Sequence, residues 1–178
     1  MSCILLGVTG SIAAYKAAGM ADRLTKMGHS VQVIMTASAR EFIAPLTFQT
    51  LTHHKVYTDL FEEIAYEDVR HISLAKSADL ALVAPATANI IGKLASGIAD
   101  DMLSTVLMAL GNKPVVICPA MNTAMYEHPA TQRNVASLKS WGCIFVEPKE
   151  SLLACGDIGK GALADPEDIL KTVLALLG

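Results

Sequence analysis

Three side chains in this sequence stand where ordered apolar runs give way to segments that could meet a ligand. Asn122 closes the stretch Val115-Val116-Ile117-Cys118-Pro119-Ala120-Met121-Asn122. A carboxamide there can donate two hydrogen bonds and accept two. It can equally cap a helix expected from Met125 onward, and the stretch by itself does not choose. Cys155 lies in Leu152-Leu153-Ala154-Cys155-Gly156-Asp157-Ile158-Gly159-Lys160-Gly161. Glycine-rich segments can close over a site and reopen, and a thiol on such a loop can serve as nucleophile or proton donor. His71 falls in the first turn of a short helix expected over residues 69–77. The helix dipole there disfavours the imidazolium, and a neutral imidazole can act as a base. A capping or surface histidine would suit the same position. His29, His53, His54 and His128 occupy helix ends or irregular sequence and carry no stronger signal.

These residues need a scaffold, and the apolar runs supply one. Residues 3–8 read as a strand, Thr9-Gly10-Ser11 as a turn and residues 12–27 as a helix. Ala13, Ala14, Ala17, Ala18 and Ala21 keep that helix thin, while Lys16, Asp22, Arg23 and Lys26 mark its wet side. Gly28 is a natural stop. A second strand spans residues 31–35, and Thr36-Ala37-Ser38-Ala39 follows it. Short helical segments broken at Pro45 are expected over residues 41–52. An irregular acidic connection follows over residues 53–68, with room for a short strand at Val56-Tyr57. Strand three, residues 80–84, should stop at Pro85, and strand four, residues 115–118, at Pro119, because proline has no N–H for a central ladder. Helices at residues 90–95, 102–110 and 129–141 and a fifth strand at residues 143–146 come next. A glycine-rich loop at residues 150–161 and a last helix from Pro166 to Leu177 complete the chain. Strands alternating with helices, with no repeat or linker, predict a single α/β domain over residues 1–178. Its architecture should be Rossmann-like, a flavodoxin-like doubly wound parallel sheet of order 2-1-3-4-5. Ligands of such sheets bind just beyond the carboxyl ends of the strands. Asn122 falls there, and so does Ala86-Thr87-Ala88-Asn89.

The opening βαβ unit carries Gly7-x-x-Gly10-Ser11, which is not a dinucleotide fingerprint. A dinucleotide fold also wants an acidic residue at the end of its second strand. Here that strand ends in Met35-Thr36-Ala37-Ser38, with two hydroxyls to hold a phosphate and no carboxylate to repel one. The pattern favours a phosphate monoester, such as the tail of FMN, over NAD. Serine N-caps would give the same residues, and Ser11 and Ser38 can serve both ends.

Composition excludes other classes. Of 178 residues, 52% are hydrophobic and 17% charged, against roughly 25% charged in an average soluble protein. The uncharged run from Leu80 to Gly92 holds 13 residues and is interrupted by Pro85, too short to cross a bilayer. The excess suits a sheet covered on both faces and surface buried against further copies of the chain. Net charge is −3 and no basic run occurs, which argues against a nucleic-acid binder. Four cysteines show no metal spacing; Cys3, Cys118 and Cys143 lie in apolar runs. The N-terminus lacks a basic leader and a small-residue cleavage site, so a cytoplasmic, reduced protein is expected.

Taken together, these segments coincide with a family pattern. Gly7-Val8-Thr9-Gly10-Ser11-Ile12-Ala13-Ala14-Tyr15-Lys16, His71-Ile72-Ser73-Leu74-Ala75 and Ala84-Pro85-Ala86-Thr87-Ala88-Asn89 carry the resemblance, with Pro119-Ala120-Met121-Asn122 and Ala154-Cys155-Gly156-Asp157-Ile158-Gly159-Lys160-Gly161 the most specific. The chain resembles the homo-oligomeric flavin-containing Cys decarboxylases, and within them the branch of coenzyme A synthesis. Thr87 stands where the family has Ser or Thr, and Ile90 where many members carry Thr. The resemblance implies FMN as cofactor and phosphopantothenoylcysteine as small-molecule substrate. The implied chemistry is oxidation of the substrate thiol to a thioaldehyde, loss of CO₂ to an enethiol, and reduction to 4′-phosphopantetheine. It implies His71 as base, Asn122 as holder of the substrate carboxylate and Cys155 as proton donor in the reduction. FMN would contact Gly10, Ser11, Ile12, Thr36, Ser38, Thr87, Ala88, Asn89 and Ala120, with Ser104 and Thr105 beside them. Leu153 and Ala154 would offer backbone contacts to substrate. Family members form homotrimers, some assembled further into dodecamers, and many are fused to a phosphopantothenate–cysteine ligase. Here the ligase is expected as a separate protein. No metal, nucleic acid or membrane partner is implied.

Three alternatives share parts of this pattern. A peptidyl-cysteine oxidative decarboxylase would share the flavin site, His and Asn, but an enzyme that stops at the enethiol needs no Cys155. A flavin prenyltransferase shares the fold but not the Pro119–Asn122 and Ala154–Asp157 segments. A flavin-binding regulatory subunit would carry an acidic tail or lack the catalytic residues.

Overall fold

The computed structural model describes residues 1–61, 69–152, 156 and 158–178. The elements run β1 (Cys3–Val8), α1 (Ala14–Lys26), β2 (Ser30–Met35), α2 (Ala37–Arg40), α3 (Pro45–Thr52), β3 (Val56–Tyr57) and α4 (Arg70–Ser77). They continue β4 (Leu80–Ala86), α5 (Ala88–Ala95), α6 (Met102–Met108), β5 (Val115–Pro119), α7 (Thr123–Glu127) and α8 (Pro129–Ser140). The chain closes with β6 (Ile144–Phe145), β7 (Lys149–Leu152), β8 (Ile158–Ala162) and α9 (Pro166–Leu177).

The central sheet has order β3-β2-β1-β4-β5-β6, and every pairing in it is parallel. Without the two-residue β3 at its edge, this is the expected 2-1-3-4-5 doubly wound order. The continuous apolar strands follow from burial on both faces. Ile4, Leu6 and Val8 point into one core with Ala14, Ala17, Met20 and Leu24 of α1 and Ile169 and Val173 of α9. Leu5, Ala81, Val83 and Ile117 point into the other, beneath α4, α5, α6 and α8. The alanine face of α1 allows a close approach. Gly7 does the same on the opposite face, where a Cβ would lie 2.5 Å from Leu103 Cδ1. Cys118 is fully buried, while Cys3 and Cys143 are half-buried; burial pushes all three thiols up, so these behave as inert apolar groups. No helix among the described residues is long and apolar enough to cross a membrane.

Apart from shifts of a few residues at helix ends, the structure departs from the sequence expectations in three places. First, β4 continues through Pro85 to Ala86 instead of ending at Ala84, and β5 includes Pro119. The register of β4 against β5 shifts between Val83 and Ala86, and such an irregularity tolerates a residue without an N–H. Second, residues 150–161 are not simply a loop: β7 and β8 pair antiparallel as a separate two-stranded ribbon. Third, α1 begins at Ala14, because Ser11 to Ala13 form a turn in which Ser11 N–H donates back to Thr9 O at 2.8 Å.

Candidate functional site

The cleft at the carboxyl edge of the sheet is built from strand ends. Beyond β1 the Gly10–Ala13 turn forms one wall, Thr87 follows β4, and Ala120, Met121 and Asn122 follow β5. The ribbon supplies the opposite wall through Lys149, Ser151 and Gly161. The cleft encloses about 520 Å³. A larger concavity of about 920 Å³ lies at the opposite edge, between Gly97, Met108 and Trp141. Its one cation, Lys113, is engaged by the carbonyls of Ala75 and Lys76 at 2.7 and 2.6 Å, and none of the expected site residues faces it.

Close approach of the wall segments depends on glycine. A Cβ on Gly10 would lie 2.4 Å from Ser38 Cβ, so the turns after β1 and β2 touch. A Cβ on Gly161 would lie 2.2 Å from Met121 O, and one on Gly159 2.3 Å from Thr123 Oγ1. The ribbon is thereby pressed onto the Met121–Thr123 segment, and Met121 N–H donates to Gly161 O at 3.0 Å. Thr9, fully buried and absent from the sequence-level candidates, ties two strand ends together. Its hydroxyl donates to Pro85 O at 2.7 Å and accepts Thr87 N–H at 3.0 Å.

Asn122 takes the capping role open to it in the sequence and also stands where the ligand reading requires it. Its Oδ1 accepts Ala124 N–H at 2.8 Å and so caps α7, two residues earlier than the helix was expected, while the residue lines the cleft. The segment after it is locked from behind. Tyr126 donates to Glu147 Oε2 at 2.5 Å, and Lys139 meets Glu147 Oε1 at 2.6 Å. Burial would raise the Glu147 carboxyl, but its bonds to Lys139 and Tyr126 outweigh that and hold it below the usual carboxylate range. Burial and Glu147 together push the Tyr126 phenol up.

Two of the hydroxyls expected at the cofactor cap helices, but neither is a serine: Thr36 Oγ1 accepts Ala39 N–H at 3.3 Å and Thr87 Oγ1 accepts Ile90 N–H at 3.4 Å. Ser11 Oγ accepts Ala13 N–H at 3.4 Å in the turn before α1, which has no side-chain cap. Capping uses a lone pair and leaves each hydroxyl proton to donate. Gly10, Ser11, Ile12, Thr87, Ala120 and Asn122 line the same cleft. Thr36, Ser38, Ala88 and Asn89 stand at the same edge outside that lining, with Ser38 in touch with Gly10. Ser104 is fully buried and closes a capping box with Asp101, while Thr105 Oγ1 donates to Ala99 O at 3.3 Å. His71 is half-buried in the first turn of α4 and does not line the cleft. Cys155, Leu153 and Ala154 lie outside the described residues. Lys16, expected only on the wet side of α1, lines the cleft, as does Lys149. Nothing in the periodicity separates Lys16 from the other charged residues of that helix.

Comparisons with known proteins place the chain in a family and agree with its fold. A family model described as Flavoprotein matches residues 2–178. The coenzyme A biosynthesis bifunctional protein CoaBC of Bacillus subtilis is 55% identical over 168 residues, covering 94% of this chain and 41% of that protein. A probable phosphopantothenoylcysteine decarboxylase of Streptococcus mutans is 50% identical over 171 residues, covering 96% of each. The chain thus spans about two fifths of the bifunctional relative and nearly all of the shorter one. Among solved structures, a PPC decarboxylase mutant complexed with pantothenoylaminoethenethiol superposes with a TM-score of 0.88 at 32% identity, covering 99% of this chain and 98% of that one. The FMN-dependent cysteine decarboxylase SpaF gives 0.86 at 33%, covering 100% and 98%.

Proposed function

The chain belongs to the Flavoprotein family, and on that premise we propose that it is an FMN-dependent carboxy-lyase converting 4′-phosphopantothenoylcysteine to 4′-phosphopantetheine in coenzyme A biosynthesis. The carrying observation is the single cleft that joins the Gly10–Ile12 turn, Thr87 and Ala120 to Asn122. The residues present fit FMN. Among the described residues the lining holds no carboxylate, the Gly10–Ser38 contact closes two hydroxyl-bearing turns at one sheet edge, and strand-end turns suit a phosphate monoester. Gly10, Ser11, Ile12, Thr36, Ser38, Thr87, Ala88, Asn89 and Ala120 would hold it, with Ser104 supporting the nearby turn through its capping box. When bound, FMN supplies the redox chemistry, withdrawing electrons from the substrate's thiol-bearing carbon and returning them after decarboxylation.

The protein's own residues bind, orient and move protons. Asn122, already fixed by its cap, donates to the substrate carboxylate and sets its direction of departure. A neutral donor holds that group without stabilising it as a full positive charge would, so the carboxylate stays free to leave as CO₂. His71 takes a proton in the oxidative half, and the Cys155 thiol donates one when the enethiol is reduced. Leu153 and Ala154 offer backbone contacts. The active unit is a homotrimer or an assembly of trimers, in the cytoplasm, fed by a phosphopantothenate–cysteine ligase.

The test is anaerobic stopped-flow mixing of the FMN-loaded protein with phosphopantothenoylcysteine, following flavin absorbance and CO₂ together. Bleaching followed by recovery, with one CO₂ per turnover, is expected. Cys155→Ser should release CO₂ and stall before recovery. A flavin that never bleaches with this substrate but bleaches with cysteine-ended peptides would assign the peptidyl-cysteine activity instead.

A further inference from the structure

The cleft carries two cations that the reaction as proposed leaves unused, Lys16 and Lys149. The ammonium of Lys149 is ion-paired with Asp165, so its charge is met within the protein. Among the described residues Lys16 forms no ion pair. It is half-buried in the first turn of α1, with its Nζ 6.0 Å from the centroid of the Tyr15 ring. That turn is the positive end of the helix dipole, where an acidic residue would stabilise the helix; α1 has none there. A cation that works against its own helix, beside a cleft with no carboxylate among its described residues, is placed for an anion arriving from solvent.

We propose that Lys16 binds the phosphate of the substrate and selects the phosphorylated form. This rests on the reading above, in which the substrate is phosphopantothenoylcysteine. That molecule carries a carboxylate at its cysteine end and a phosphate at the other. Asn122 serves the first and is neutral, so the cleft still needs a partner for the second. A lysine, a compact charge on a flexible stem, suits a phosphate whose position shifts during turnover. The phosphate of FMN has the same chemistry. Lys16 shares its cleft with Asn122 and Ser151, and Thr36 and Ser38 stand outside that lining; Ser11, also offered for the cofactor phosphate, lies within it, so FMN content is measured beside substrate preference.

The experiment compares FMN-loaded wild type, Lys16→Met and Lys16→Arg with phosphopantothenoylcysteine and with unphosphorylated pantothenoylcysteine. Calorimetry measures binding of the products 4′-phosphopantetheine and pantetheine alongside, and absorbance measures FMN content. In wild type the phosphorylated member of each pair should be preferred by about 10- to 100-fold in kcat/KM and in Kd, the range of a hydrogen bond to a charged group. Lys16→Met should collapse that preference, through KM more than kcat, and Lys16→Arg should restore most of it. Lys16→Gln replaces the Met variant if the latter does not fold. A preference that survives in the Met or Gln variant overturns the inference. So does a loss of FMN affinity with the preference intact, which would give Lys16 to the cofactor. If wild type turns over neither substrate, it is the proposed function that falls, and the calorimetric preference alone then decides the role of Lys16.

Discussion

Asn122 caps an α-helix and lines the cleft with one carboxamide, and the cap can be separated from the proposed substrate contact by substitution. Its Oδ1 accepts the Ala124 N–H, a task that aspartate performs equally well at an N-cap. Asn122→Asp should therefore fold and load FMN as wild type does. It should lose substrate binding, because a carboxylate would face the substrate's own carboxylate at hydrogen-bond range. Like charges so placed cost on the order of 3 kcal/mol, about 100-fold in KM. A titration of substrate into the FMN-loaded variant checks this, and unchanged affinity would leave Asn122 as a cap alone. At this scale the sequence named the residue but left its task open. The cap and the place on the cleft wall became visible only once the start of α7 and that wall were seen to coincide.

Among the elements, α6 shows how a candidate contact residue is also consumed by local structure. Asp101 caps it by accepting Ser104 N–H at 2.8 Å, and Ser104 Oγ accepts Asp101 N–H at 3.1 Å. Lys93 adds ion pairs to Asp101 and Asp100, both at 2.6 Å. Burial would raise the Asp101 carboxyl, but its bonds to Lys93 and Ser104 outweigh that and hold it below the usual range. A depressed folded value means that the stabilisation is complete above the unfolded carboxylate value of about 3.9. It is lost as pH falls through that value toward the folded one. Asp101→Asn keeps the capping acceptor and removes the charge. At pH 7 it should melt about 2–4 °C below wild type, equivalent to about 1 kcal/mol for a partly exposed pair. The gap should narrow as pH falls below about 3.9 and close once the folded carboxyl is protonated. A gap that persists at low pH would mean that the charge is not the source. The ribbon β7–β8 sits at the same scale and was not legible. Its strands are polar and glycine-rich, with no apolar alternation to announce them. Their pairing is favoured by the seat that Gly159 and Gly161 take on Met121–Thr123.

For the whole molecule, the apolar excess has two destinations. Much of it fills the two cores on either face of the sheet. Part of the rest is exposed at the cleft, where Tyr15 is 61% and Leu152 68% exposed, with Ile158 on the ribbon at 75%; other exposed apolar side chains, such as Leu46, Phe61 and Trp141, lie away from it. Exposed apolar side chains gathered at a site mark a surface that another body covers. Light scattering on the FMN-loaded protein should give three times the protomer mass or a multiple of that. A stable single protomer with bound FMN and full turnover would remove the trimer from the proposal.

The sequence alone determined the parallel sheet, its strand order and the segments that meet at its carboxyl edge. These depend on local signals: apolar runs, the prolines and glycines that end them, and short motifs such as Pro119–Asn122 that carry a family resemblance. Tertiary structure decided what local signals do not encode. Pro85 passes within β4 because the register against β5 shifts there. Thr9 joins two strand ends 76 residues apart in sequence. Lys16 leaves the solvent face for the cleft because the β7–β8 ribbon folds over onto the strand ends and makes the opposite wall. In each case the deciding partner is distant in the chain, and a reading confined to local sequence does not contain it.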